Sequence, residues 1–239
     1  MASESLRKLS GGPDPYSPDE LSKHIDPILL KNLAKIQIDG VEKQQLTIVF
    51  WDIAGFSQLS KDLEGFEDDV LYFLKLYCEK AVEIVAKYNG IIDKFIGDGL
   101  LAYFGYNSKV GNGDPNDAVS AALEFKEEFL KLKQSFIGYC RKRNGRDPSK
   151  IDLKCGLDNG RPALHYFNSL TRNSVIILGS TVNRASRLEG YAEGGQILVS
   201  ESLKNMIQDE FDYTAIDTKG EIKTFENERY VYTIMNKKR

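Results

Sequence analysis

Thr47-Ile-Val-Phe-Trp-Asp-Ile-Ala-Gly-Phe-Ser57 is an apolar run that closes on one carboxylate, Asp52, with Gly55 three residues later and a helical pattern beyond. The apolar part reads as a buried strand carrying Asp52 at its carboxyl end. Gly55 then allows a tight turn into a helix N-terminus. Backbone N–H groups at such a terminus have no partner within the helix and favour phosphate, here from Gly55, Phe56 and Ser57. A carboxylate beside them favours a hard divalent cation, which phosphates bring with them.

A second stretch works with the first. Asn89 to Gly105 holds two short apolar runs around Gly97-Asp98-Gly99, the pattern of a β-hairpin turning on Asp-Gly. Asp98 therefore also stands at a strand end. Two carboxylates on neighbouring strand ends, beside a phosphate-ready helix terminus, make a two-metal site for phosphoryl transfer.

A third segment, Gly179-Ser-Thr-Val-Asn-Arg-Ala-Ser-Arg-Leu-Glu189, follows at a distance. Together with Phe50-Trp-Asp-Ile-Ala-Gly-Phe-Ser57 and Lys94-Phe-Ile-Gly-Asp-Gly99, it resembles the three signature segments of class III nucleotidyl cyclases. The resemblance covers about Leu46 to Ile234. It implies an α+β fold, a ferredoxin-like palm with a largely antiparallel sheet that dimerises head to tail. It also implies conversion of a nucleoside triphosphate to a 3′,5′-cyclic monophosphate and pyrophosphate. In that reaction Asp52, the Ile53 carbonyl and Asp98 would hold two divalent ions, Mn²⁺ or Mg²⁺. Asn183 and Arg187, four apart and so on one helix face, would orient the ribose and neutralise transition-state charge. Lys219 would reach the phosphates. Each site would draw its metal carboxylates from one subunit and Asn183 and Arg187 from the other, as a two-fold homodimer permits.

The base-reading positions depart from the family. Lys94 matches the lysine that adenylyl cyclases use, but its usual acceptor partner is replaced by Ile176. A donor without an acceptor suits the uracil carbonyl. It leaves an adenine or cytosine amino group unpaired, at about 1–3 kcal/mol. Trp51 is the second departure. Strand alternation turns it from Asp52 into the core, whereas a bulge at the strand end would aim it at the base pocket and narrow that pocket against purines. These features resemble the pyrimidine cyclases of bacterial antiphage (Pycsar-type) signalling, which serve a separate cyclic-nucleotide-responsive effector. The expected substrate is UTP, then CTP. The alternatives are an adenylate cyclase with an altered pocket, or a catalytically silent cyclase-fold module that binds nucleotide. Ser180 stands where the family usually has Asp, and His165 lies in Leu164-His-Tyr-Phe167, a strand in which the family usually has glycine. His165 is expected to pack in a hairpin.

The rest of the chain bounds this reading. With 239 residues, 41% hydrophobic and 28% charged, it fits one soluble domain with a sizeable core. A net charge of −3 gives no electrostatic footprint for nucleic acid. No apolar run approaches the roughly 20 residues that span a bilayer, so a cytoplasmic protein is expected. Cys78, Cys140 and Cys155 are widely spaced and read as reduced thiols. Residues 1–16 are expected to be disordered and 17–45 to form a helical segment, with Ser17 capping, Pro18 at the first helical position and Pro27 kinking the run. The catalytic domain is expected over 46–236. Within it, helices are expected at about 56–88, broken near Gly65, at 116–143 and at 181–191. A second hairpin is expected to pair 151–157 with 162–167 around Asp158-Asn-Gly160.

Overall fold

The computed structural model describes residues 41–106, 108–148, 150–168, 173–223, 225 and 228–238. The stretch 1–16, expected to be disordered, lies outside them, as does 17–40 of the expected helical segment. The end of that segment, Val41–Lys43, is a strand (β1) rather than helix.

Two units make up the chain. The smaller, residues 1–42 and 163–178, contains the antiparallel pair β6 (Ala163–Asn168) and β7 (Asn173–Leu178). In their register His165 faces Ile176.

Residues 43–162 and 179–239 form the larger unit. Its sheet is built from β2 (Leu46–Ala54), β3 (Ile91–Ile96), β4 (Gly99–Phe104), β5 (Asp152–Gly160), β8 (Ile197–Val199), β9 (Phe211–Asp217) and β10 (Tyr230–Lys237), in the order β3-β4-β2-β5-β8-β10-β9. Every neighbouring pair is antiparallel except β5 and β8. This is the mixed, largely antiparallel arrangement expected. Its helices are α1 (Phe56–Asp62), α2 (Glu67–Lys87), α3 (Pro115–Arg143), α4 (Ser180–Tyr191) and α5 (Glu201–Ile207).

Strand alternation decides the core. Val49, Trp51 and Ile53 of β2, Leu100, Ala102 and Phe104 of β4, and Leu153, Cys155 and Leu157 of β5 all project to one side. There they meet Phe73, Tyr77 and Ala81 of α2 and Phe125, Phe129 and Phe136 of α3, which recur at helical spacing. Gly65, at φ +85°, separates α1 from α2. Glu67, Asp68 and Asp69 then fill the first turn of α2, where the helix dipole favours negative charge. Pro115 opens α3 at a position that needs no N–H.

Trp51 settles into this core. Its side chain is 1% exposed, and its ring meets Phe125 edge-on with centroids 5.3 Å apart. The pairing of β2 with both neighbours is unbroken at Trp51, so no bulge turns the indole round. A role for Trp51 in limiting the base pocket is therefore corrected: it is a core residue.

The second expected hairpin is also corrected. β5 runs straight through Asp158, Asn159 and Gly160 while pairing with β2, from Leu46↔Gly160 to Ala54↔Asp152. The strand after it, β6, pairs instead with β7. Gly160 does not serve a turn. A Cβ there would lie 2.2 Å from Thr181 Oγ1 in the first turn of α4. At Gly156 a Cβ would lie 2.1 Å from the Glu189 nitrogen and 2.3 Å from the Ala185 oxygen. These two glycines let α4 lie directly on β5, on the face opposite α2 and α3.

Candidate active site

β2 delivers Asp52 on the face opposite Trp51 and ends in Ala54. Gly55 takes φ +83°, and a Cβ there would come within 2.6 Å of the Lys150 carbonyl oxygen. A side chain at this position would be strained twice over, by conformation and by crowding. α1 begins at once with Phe56 and Ser57, and Gln58 and Leu59 donate their N–H groups to the Gly55 carbonyl at 3.0 Å each.

The β3–β4 turn brings Asp98 to Asp52. Gly97 holds φ +65°. A Cβ on Gly99 would sit 3.4 Å from Asp52 Oδ1, so the bare glycine lets the hairpin close over the carboxylate. Asp98 lies beside Asp52, and the backbone N–H groups of Asp98 and Ile53 work to hold its pKa down. Burial, and then the neighbouring Asp52, raise its pKa above the usual carboxylate value. Two acids this close cannot both ionise without a compensating cation.

Part of that cation is built in, and the sequence reading missed it. Lys154 stands directly across from Asp52 in the β2–β5 register. Its Nζ lies 3.2 Å from Asp52 Oδ2 and 2.7 Å from Glu189 Oε1 on α4. Burial works to lower the Lys154 pKa, but Glu189 and Asp52 outweigh it and the net shift is upward. Glu189 is itself raised, first by burial. The signal for this group was present in β5: Lys154, Gly156, Asp158 and Gly160 alternate with Leu153, Cys155 and Leu157. A polar face with two glycines is what a closely packed helix requires.

Two acids on one lysine, with Asp98 crowded against Asp52, leave the site short of positive charge. Asp52, Asp98 and the Ile53 carbonyl are all hard oxygen donors, the set that Mg²⁺ and Mn²⁺ prefer. The residues present thus fit divalent ions. Among the described residues no group of three or more His, Cys, Asp or Glu side chains is placed to hold a metal. Substrate oxygens would have to complete the coordination.

The other expected site residues lie elsewhere in the larger unit. Asn183 and Arg187 share the exposed face of α4, while Ala185 and Leu188 bury the opposite one. Among the described residues neither side chain has a hydrogen-bond or ion-pair partner. Lys94 sits on β3 beside a register shift, with its Nζ 2.9 Å from Oδ2 of the buried Asp93 and 47% of its side chain exposed. Lys219 is exposed, at φ +52°, just beyond β9 at the sheet edge remote from β3. The chain therefore brings Asp52, Ile53 and Asp98 together with Gly55, Phe56 and Ser57. It does not bring Asn183, Arg187 or Lys219 to them. In the smaller unit, Ile176 is half-buried on β7.

Comparison with known proteins fits this geometry. Residues 38–236 match the adenylate and guanylate cyclase catalytic domain family. The chain belongs to that family. The adenylyl cyclase CyaB of P. aeruginosa superposes with a TM-score of 0.72 at 30% identity, over 84% of this chain and 98% of that one. The guanylyl cyclase Cya2 superposes with a TM-score of 0.67 at 25% identity, over 82% and 93%. An adenylate cyclase of Anabaena cylindrica is 24% identical over 234 residues, 96% of this chain but 44% of its own length. The chain spans less than half the length of the curated relatives it matches most strongly. Among the described residues of this cyclase domain, no helix is long and apolar enough to cross a membrane.

Proposed function

We propose that this cyclase domain converts a nucleoside triphosphate to a 3′,5′-cyclic monophosphate and pyrophosphate. The observation that carries the reading is the Asp52–Asp98 pair, two adjoining carboxylates with less than their complement of positive charge. Divalent ions, when bound, supply Lewis acidity for the ribose 3′-hydroxyl and charge neutralisation for the leaving phosphates. Asp52, Asp98 and the Ile53 carbonyl would hold them. Backbone N–H groups from Gly55 to Ser57 would orient the β- and γ-phosphates. Asn183 would hold the ribose and Arg187 would offset charge developing on the α-phosphoryl oxygens.

Because Asn183 and Arg187 face outward, away from the buried side of α4, the reading needs a second subunit. A two-fold homodimer supplies it: each site combines the carboxylates of one copy with the α4 of the other. Lys219 would join Asn183 and Arg187 on that second copy.

The substrate proposed is a pyrimidine, UTP before CTP. Lys94 offers a donor and Ile176 no acceptor, so the amino group of adenine or cytosine would lose a hydrogen bond at about 1–3 kcal/mol. Burial of Trp51 removes the pocket-size part of the argument, leaving the donor–acceptor part alone. An adenylate cyclase is the second reading, favoured by the retained Lys94 and by the names of CyaB and the Anabaena relative. In the first reading the product would act in the cytoplasm on a separate effector, as in antiphage (Pycsar-type) signalling.

The test is turnover of ATP, GTP, CTP and UTP with Mn²⁺ and with Mg²⁺, followed by pyrophosphate release and product chromatography. Cyclic UMP as the main product is the expected result. ATP cyclised at least as well as UTP would replace the pyrimidine reading with the adenylate one. No turnover of any triphosphate would leave a nucleotide-binding module.

A further inference from the structure

Arg184 lies between Asn183 and the rest of the α4 signature, yet the reaction gives it no task. It points inward. Its Nε is 2.9 Å from Asp158 Oδ2 on β5, and its Nη2 is 2.7 Å from Glu228 Oε1 in the segment joining β9 to β10. The guanidinium stacks over the ring of buried Phe225, 4.0 Å from its centroid. Asp158 is fixed from its other oxygen by Ser200 Oγ at 2.5 Å. Ser200 in turn caps α5, accepting from the Leu203 N–H at 3.2 Å. One planar side chain thus ties together β5, α4 and the 218–229 segment.

The need for such a tie follows from how α4 is seated. Gly156 and Gly160 let the helix backbone rest on β5, but at those positions they offer no side chain to interlock with it. Apolar contacts come from the other side, where Leu188 packs with Leu198, Ile222, Phe225 and Val231. Charge pins the helix at two points, Arg184 near its start and Glu189, bound to Lys154, near its end. Asn183 and Arg187 stand at and between these pins. The 218–229 segment also carries Lys219.

We propose that Arg184 is a positioning residue: by bridging Asp158 and Glu228 it fixes α4, and with it Asn183 and Arg187, relative to the segment that carries Lys219. The inference rests on the reading that Asn183 and Arg187 serve the partner's metal carboxylates. Only a planar fork can satisfy two carboxylates while stacking on an aromatic ring, so lysine is not an equivalent.

Three measurements test it, with the full chain and whichever triphosphate turns over. Arg184→Met and Arg184→Lys should each lower kcat by roughly 10- to 100-fold, the scale on which a misplaced group fails, while KM changes little. The double variant Arg184→Met with Asp158→Asn removes the orphaned buried acid. It should recover melting temperature without recovering kcat. Subunit mixing gives the third measurement, with Asp52→Ala mixed with Arg187→Ala as the control pair. Arg184→Met should regain activity when mixed with Asp52→Ala, whose α4 is intact, and none when mixed with Arg187→Ala. If the control pair complements but the double variant recovers kcat along with its melting temperature, Arg184 serves stability alone and the inference falls. The same conclusion follows if Arg184→Met complements Arg187→Ala. If the control pair itself fails under exchanging conditions, the shared-site reading falls and takes this inference with it.

Discussion

Two groups of partly buried charge hold α4, and they differ in how their acids are paired. Near its C-terminus, Lys154 pairs with Asp52 and Glu189 while Asp98 crowds against Asp52, and Asp98 and Glu189 are both pushed above the usual carboxylate range, by burial first. Near its N-terminus, Arg184 also faces two acids, Asp158 and Glu228, and burial raises Asp158 as well, but both acids are paired to the guanidinium and Ser200 and Phe225 complete the contacts. In the first group Asp98 has no cationic partner among the described residues, whereas in the second each acid is paired to the guanidinium. Buried charges left uncompensated are costly, so an uncompensated group is where a ligand of opposite sign is called for. A compensated one holds position.

The largest expected effect breaks the first group. Asp52→Ala or Asp98→Ala should abolish turnover, because each would remove one of the oxygens proposed to hold the divalent ions. Folding should survive, and the melting temperature should equal or exceed that of the wild type, since like-charge crowding is relieved. Circular dichroism on heating, beside a metal-controlled assay, checks both halves.

Trp51→Ala separates site from core. The indole shares its strand with Asp52 but lies on the other face, so deletion should cost about 3–5 kcal/mol of stability. The preference among the four triphosphates should stay as in the wild type. Urea unfolding measures the first, and product ratios the second. A changed base preference with unchanged stability would place the indole in the pocket.

Gly156→Ala strikes the seat that both charged groups share. The new methyl meets the α4 backbone near Ala185 and Glu189, and forcing it in should destabilise by about 1–3 kcal/mol. Activity should fall as well, since α4 must lift. Unfolding and kcat measured on the same preparation test whether the two move together.

Ile176→Asp sharpens the base reading on a similar scale. A new acceptor should shift relative kcat/KM from UTP toward ATP or CTP by about 1–3 kcal/mol, the worth of one buried hydrogen bond. The assay is competition between paired triphosphates, and an unchanged ratio would detach Ile176 from base choice.

The smallest effect comes from an exposed arginine that pairs with one carboxylate instead of bridging two. Arg229 donates Nε and Nη2 to Asp217 Oδ2 at 3.0 and 2.8 Å, but its side chain is 70% exposed. Arg229→Ala should leave the unfolding midpoint nearly unchanged, as expected of a solvent-screened pair, and leave kcat unchanged, as chemical denaturation and steady-state assay would show.

Much of this could be read from the sequence, and the failures share a cause. Asp52 and Asp98 were legible because strand, turn and helix onset are local patterns, and each lies in its own short stretch. The break at Gly65, the hairpin at Gly97-Asp98-Gly99 and the span of α3 were legible for the same reason. Asp158-Asn-Gly160 was misread because the same residue types suit a tight turn and a strand that must admit a helix. The choice is made by Thr181, 21 residues later. Lys154 and Arg184 escaped notice because their partners, Asp52, Glu189, Asp158 and Glu228, are set by sheet register and helix seating. The sequence alone does not choose between core and pocket for Trp51, because that depends on whether β2 bulges; its unbroken pairing with β4 and β5 excludes the bulge.

The pairing of β2 with β5 has a consequence for the making of the protein. Leu46 and Gly160 are partners although more than a hundred residues separate them. A newly synthesised chain therefore holds β2, a largely apolar strand, with one edge open until residue 160 has emerged, and β5 waits longer still for β8. Open apolar edges invite pairing with other chains, and distant pairings form slowly. Yield on expression should consequently track the speed of synthesis and the temperature more closely than it tracks the stability of the finished fold, with cooler, slower production giving the larger share of active enzyme.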